Sequence, residues 1–349
     1  MHAHPPLDTQ LHERIRQLAK VELHLHLEGS ISPETLLDLA KKHQFTIPAK
    51  FATPDLVRSH YSRYKDFRDF VNIFILGVNC LKTPEDFYLV MKQLGARLAS
   101  QNVLYAEVTW TPQFYLLRPC GLDSILRVLN QARREIETEL GIRVRWIPDL
   151  IRNFPKPAPK VTQWLIQQMR RGDSGIVALG LGGPEYAHPA SNFELIFQAA
   201  RECGLPANPH AGENDGPISV RNTLHCLQPR RIGHGVRASE DPELMALLRT
   251  QRTHLEVCLS SNIQLGIYAD FEQHPLRTLL DAGCELSLHT DDPVLFQTSL
   301  NQEYQYALEY CGMHWNELLQ SINAALNASY LDESTKRILQ KELSRNSMV

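Results

Sequence analysis

The chain has 349 residues, 43% hydrophobic and 21% charged, with a formal net charge of −3. This is ordinary for a globular protein and excludes a disordered or low-complexity chain. A slightly negative total also gives no broad attraction to a polyanion, so neither nucleic acid nor an anionic membrane is an expected partner.

In chain order, β-rich apolar runs alternate with helical patterns, the signature of a parallel α/β fold. Strands are expected near Val21–His26, Val103–Thr109, Arg143–Asp149, Ile176–Leu181, Leu205–His210, Arg231–His234, His254–Val257 and Glu285–Leu288. Eight is the number a closed (β/α)₈ TIM barrel needs. Helix starts carry cap-then-proline signals at Ser32-Pro33, Thr83-Pro84 and Asp241-Pro242. Between the second and third strands, Ile125, Val128, Leu129, Ala132, Ile136 and Leu140 trace one helical face. Residues 45–82, rich in Phe, Tyr and Arg, exceed a minimal barrel. They read either as a lid over the active face or as a helix packed on the barrel's side. Residues 315–349 read as a helical tail with a polar, frayed end. No repeat or linker breaks residues 1–349, so one domain is expected, with extra helices covering the active-site face.

The cysteines Cys80, Cys120, Cys203, Cys226, Cys258, Cys284 and Cys311 are odd in number and form no C-x-x-C pair. Reduced thiols fit better than a disulfide framework. The opening segment MHAHPPLDTQLHERIRQLAK lacks an apolar signal core, and no run is long enough to span a bilayer. The cytoplasm is the default location.

Ionisable residues gather at the carboxyl ends of the apolar runs. His24 and His26, at i and i+2 of one strand, point to the same side and can chelate one ion. His210 and Asp291 end two later strands, and burying such groups without partners is costly. Three imidazoles and a carboxylate meeting at one mouth suit zinc, although such donors also accept iron or manganese. Glu213, three residues after His210, can be aimed by a turn into the same cavity as a general acid. His234 lies between Gly233 and Gly235, where the backbone must approach something closely; it reads as a further ligand or as a base. Asp291 and Asp292 are adjacent and cannot point the same way, so one can bind metal while the other faces a substrate.

Two neighbouring chemistries are disfavoured. A second metal usually needs a bridging ligand such as a modified lysine, and the fourth strand, IVALGLGGPE, contains none. The H-x-E…P-C-x-x-C pattern of cytidine deaminases is matched only at His26-Leu27-Glu28; after Pro119-Cys120, Asp123 stands where the second cysteine is required.

Together, HLHLEGS, PHAGE, RIGHG and TDDP resemble the adenosine deaminase family of the amidohydrolase superfamily, from about residue 20 to 330. The resemblance implies a barrel with one Zn²⁺ per chain that releases ammonia from a 6-aminopurine. By matching position, His24, His26, His210 and Asp291 are the implied metal ligands. Glu213 is the implied acid at purine N1, His234 the group that holds and deprotonates the attacking water, and Asp292 the contact to N7. Gly183 matches the glycine whose N–H meets N3, and Glu28 stands on the ribose 5′ side, where adenosine-specific members usually have Asp. GLGGPE, RWIPDL and HPLRTLLDAG look more like the branch acting on aminodeoxyfutalosine, a nucleoside with a modified 5′ end. Leu259 and His289 replace the family's usual Pro and Asn. The expected partner is a small purine nucleoside. The alternatives are free adenine, another amide or ester cleaved by one metal, and a catalytically dead barrel; the last would be expected to lack a ligand or the acid, and none is missing.

Overall fold

The computed structural model describes residues 9–346 apart from 62, 63, 65 and 66. Eight strands follow one another around a single sheet in chain order. They are β1 (Lys20–His26), β2 (Val103–Trp110), β3 (Arg143–Ile151), β4 (Leu179–Gly182), β5 (Ala207–Ala211), β6 (Arg231–His234), β7 (His254–Val257) and β8 (Leu286–Leu288). Every successive pair is parallel. The expected (β/α)₈ TIM barrel is what the chain forms.

The strands are rich in Val, Ile, Leu and aromatic residues because both faces are covered, one by the barrel interior and one by helices. Trp110 and Trp146 are fully buried in this way. Two strands start two or three residues later than the sequence suggests, and β8 one residue later. Pro206 has no N–H to give a ladder, so β5 begins at Ala207. Ile176 makes only an isolated bridge to Trp146, and β4 begins at Leu179.

Closure occurs at the functional end. Leu25 bridges Asp291. The His26 N–H donates to the Asp291 carbonyl at 2.8 Å, and the Asp291 N–H to the His24 carbonyl at 3.0 Å. His289 contributes as well: its Nδ1 accepts the Leu23 N–H at 3.0 Å and its Nε2 lies 2.6 Å from Ser287 Oγ. The histidine therefore fastens the last strand to the first.

The cap signals are used at helices Pro33–Lys42 and Pro242–Gln251, where Ser32 and Asp241 accept the Thr35 and Leu244 N–H at 3.1 and 3.0 Å. At helix Pro84–Ser100 the partnership is reversed, with Asp86 accepting the Thr83 N–H at 2.8 Å. In helix Gly121–Leu140 the apolar face holds except at its end: Leu140 is 40% exposed, while Leu126 is buried. Gly141 closes the last turn with φ of 72°, its N–H donating to the Glu137 carbonyl.

Residues 45–82 contribute helices Pro54–Tyr61 and Phe67–Cys80. The second lies over the carboxyl ends of the strands, where Phe70 stacks on Phe296 with ring centroids 5.0 Å apart. Tyr64 donates its hydroxyl to the Leu295 carbonyl at 3.0 Å. The tail forms helices Trp315–Ala328 and Glu333–Asn346, and the frayed end expected beyond residue 346 lies outside the described residues. None of the seven cysteines is in a disulfide. Among the described residues, no helix is long and apolar enough to cross a membrane.

Candidate metal centre and active site

The strand ends bring His24, His26, His210 and Asp291 together, each buried, with one ligand atom apiece all within 4.8 Å of one another. Asp291 Oδ1 lies 3.4 Å from His24 Nε2 and 3.3 Å from His26 Nε2. His24 Nε2 and His210 Nδ1 are buried without any hydrogen-bond partner. A nitrogen and oxygen donor set that leaves its own buried atoms unsatisfied fits a bound divalent cation. A second grouping, His234, Cys258 and Asp291, shares Asp291 with the first. Burial raises the Cys258 thiol well above its usual range.

Backbone strain accompanies the cluster. His234 and Asp291 both occupy the left-handed region, at φ 60° and 61°. Non-glycine residues there cost of order 1–3 kcal/mol and persist where the surrounding structure over-determines them. The close approach expected at Gly233 is to His24: a Cβ on Gly233 would lie 2.6 Å from His24 Cε1.

Buried partners orient the cluster, and the sequence reading did not identify them. His24 Nδ1 lies 2.9 Å from Glu256 Oε2, a carboxylate behind the imidazole that fixes the ring. Glu256 is in turn 2.7 Å from Arg231 Nε, which holds that carboxylate below its usual range against the opposing effect of burial. Arg152 donates to the His210 carbonyl at 2.7 Å and to the His188 carbonyl at 3.0 Å. Glu185 accepts the N–H groups of Gly212, Glu213 and Asn214 at 2.7, 2.9 and 3.0 Å, and also the Ser219 hydroxyl. It therefore holds the turn that carries Glu213. The sequence signals were a charged residue inside each apolar run and the lone carboxylate of GLGGPE.

Burial, and the negative Asp291 beside them, push both Glu213 and Asp292 well above the ordinary carboxylate range. Burial opposes charge on Asp291 as well, but its contacts to His24 and His26 hold it well below that range. Carboxylates separated in this way divide into acid and anion. Burial also lowers His234 to about 3, which keeps the ring neutral. Its Nε2 lies 3.8 Å from Glu213 Oε1 and 3.8 Å from Asp291 Oδ2. Behind it, the Asn262 amide nitrogen is 3.4 Å from His234 Nδ1, and Asn262 Oδ1 is 3.1 Å from His274 Nε2. With the amide this way round, the ring proton sits on Nε2 and His234 is a donor toward the cluster. The expected base role requires the amide turned over, so that Oδ1 accepts from Nδ1–H.

A cavity of about 520 Å³ opens onto His26, His210, Glu213, His234, Asp291 and Asp292. Gly183 lines it at φ 90°, and Phe67, Phe70, Val71, Phe74, Phe114 and Phe154 form an apolar outer wall. Helix Phe67–Cys80 thus supplies much of the apolar wall, and Phe114 and Phe154 come from the segments after β2 and β3. Glu28 is placed differently from the substrate contact expected of it. It is 2% exposed, is not among the side chains lining the cavity, and accepts the Thr111 N–H at 2.9 Å and the Tyr115 hydroxyl at 3.1 Å.

A sequence profile described as adenosine deaminase matches residues 19–346. The aminodeoxyfutalosine deaminase of Streptomyces coelicolor is 33% identical over 97% of this chain and 87% of its own length. An adenine deaminase of Sinorhizobium fredii is 33% identical over 92% of this chain and 97% of its own. Among solved structures, adenine deaminase from Arthrobacter aurescens aligns with a TM-score of 0.87 at 25% identity, covering 95% of this chain and all of that one.

Proposed function

The chain belongs to the adenosine deaminase family, and from that premise we propose a Zn²⁺-dependent hydrolase that removes the 6-amino group of a purine nucleoside as ammonia. The substrate is adenosine or a 5′-modified adenosine such as aminodeoxyfutalosine. One observation carries the reading: a carboxylic acid, Glu213, and a neutral imidazole, His234, face each other 3.8 Å apart beside the His₃Asp cluster.

His24, His26, His210 and Asp291 would hold one Zn²⁺. When bound, the ion acidifies water toward neutral pH. Everything else is done by the chain's own groups. Water addition at C6 puts electron density on N1, and Glu213, held protonated by burial, donates a proton there. His234 holds the attacking water through Nε2, and takes its proton once the Asn262 amide presents Oδ1 to Nδ1. Asp292, also held protonated, donates to N7, and the Gly183 N–H faces N3. Glu28 acts on the substrate through Thr111, a cavity-lining residue whose N–H it accepts.

The cavity favours a nucleoside over a free base. Its volume of about 520 Å³ extends past a purine into the phenylalanine-lined outer wall, which suits an apolar 5′ extension. The alternative, adenine, is favoured by the similarity to adenine deaminases. Steady-state deamination of adenosine, 5′-deoxyadenosine, aminodeoxyfutalosine and adenine, followed by the 6-amino to 6-oxo absorbance change, separates them. The expected result is a much higher kcat/KM for one nucleoside. Activity confined to adenine would move the enzyme to the nucleobase branch.

A further inference from the structure

One carboxyl group in the cavity has no role in the assignments above. Asp149, at the end of β3, lines the cavity yet is only 2% exposed. Its Oδ1 is buried with no hydrogen-bond partner. The carboxyl lies across the inner face of β4, which carries no side chain to oppose it. A Cβ on Gly180 would lie 1.6 Å from Asp149 Oδ1, and one on Gly182 would lie 2.7 Å from Oδ2. Two glycines on the neighbouring strand thus leave room for a carboxyl that the protein does not satisfy. An orphaned buried carboxyl is costly, and that cost is relieved when a ligand brings the missing donor.

The position narrows what the donor can be. The carboxyl lies against Gly180 and Gly182 of β4, the strand that leads into Gly183, and Glu213 follows β5, the next strand. In the pose of the proposed function, on which this inference rests, the ring edge between N3 at Gly183 and N1 at Glu213 faces that part of the barrel. The 6-amino group lies at the metal cluster, and the sugar points outward to the phenylalanine wall. Along the N1–C2–N3 edge, a plain 6-aminopurine offers only acceptors and a C–H. A hydrogen-bond donor appears there when C2 carries an amino group. We propose that Asp149 is a specificity-determining residue that accepts a hydrogen bond from a 2-amino substituent, so that the pocket takes 2,6-diaminopurine nucleosides in preference to their 6-aminopurine counterparts.

The test compares kcat/KM for 2,6-diaminopurine riboside with that for adenosine, using the zinc-loaded wild-type protein and two variants. In Asp149→Ala the ratio is expected to fall about threefold to tenfold, the scale of one hydrogen bond, while adenosine alone changes little. Gly182→Ala keeps the carboxyl but displaces it, and the ratio should fall in the same direction. Thermal melting of both variants separates this from a structural role, which would lower Tm and reduce both substrates together. An unchanged ratio in Asp149→Ala, or equal losses on both ribosides, would overturn the assignment while leaving the deaminase reading intact. A wild-type ratio at or below one, or no turnover of either riboside, would overturn the inference; only inactivity on aminodeoxyfutalosine and adenine as well would overturn the deaminase reading.

Discussion

Two buried polar clusters occupy this barrel, and they differ in how their hydrogen bonds are met. Toward the amino ends of the strands, Arg231 donates to Asn208 at 2.9 Å and to Glu107, pairs with Glu256 at 2.7 Å, and is covered by the Tyr330 ring at 4.1 Å. Its partners all come from the protein. At the carboxyl ends, His24 Nε2, His210 Nδ1, His234 Nε2, Asp149 Oδ1 and Asp292 Oδ1 have none. The first cluster is held together by charge pairs within the protein and serves the fold; the second, the open cluster, leaves several ring nitrogens and carboxyl oxygens unmet, which suits a bound ligand. Glu256 joins them, with one oxygen toward Arg231 and the other 2.9 Å from His24 Nδ1. The first cluster is thus the foundation on which the open one is aimed.

Substitutions at each end should separate these roles. Glu213→Gln removes an acid from the open cluster. It should lower turnover by the ~10²–10⁴-fold typical of an acid–base group while metal content and fold persist. Near-normal turnover would remove Glu213 as the N1 acid. Arg231→Met should do the reverse, because it leaves Glu107 and Glu256 buried without their cation. Urea unfolding should show a loss of about 3–5 kcal/mol, whereas a loss below about 1 kcal/mol would show that the cluster is not structural.

The open cluster should also exchange protons for metal. In the metal-free protein, burial opposes charge on His26, but the negative charge its carboxylate neighbours carry, on Asp291 above all, more than offsets it and lifts the imidazole to about 9 from an ordinary 6.5. His26 is then charged at neutral pH and must lose its proton to bind metal, so zinc affinity should rise as pH climbs toward that value. The same shift stabilises the metal-free fold fully below its unfolded value of about 6.5, and that stabilisation is lost as pH rises through about 9. Zinc calorimetry at pH 7 in buffers of different ionisation enthalpy should report proton release; identical heats would contradict it. The smallest effect is expected at the outer wall. Phe154→Ala should raise KM about threefold to tenfold with kcat nearly unchanged, because it removes a half-exposed apolar contact at the edge of the cavity. A matching fall in kcat would mean that the wall also orders the catalytic groups.

The difference between the clusters also explains what the sequence revealed. The strands were legible because eight runs buried on both faces stand out, and the ligands because they end those runs at His24, His26, His210 and Asp291. Glu256, Arg231 and Glu185 were not, because a charge inside an apolar run has the same appearance whether it holds a metal, a histidine or another charge. Asp149 was hidden in RWIPDL, since its lack of a partner depends on glycines 31 and 33 residues later, Gly180 and Gly182. The helix Phe67–Cys80 was foreseen only as an insertion with two possible positions, because periodicity gives a face and not what that face meets.

The most direct test is to strip the protein of metal and restore Zn²⁺ stepwise while following ammonia release from the best nucleoside substrate. The account predicts no deamination without metal and a linear recovery that stops at one ion per chain. Turnover in the metal-free protein, or recovery that stops only at two ions, would contradict it.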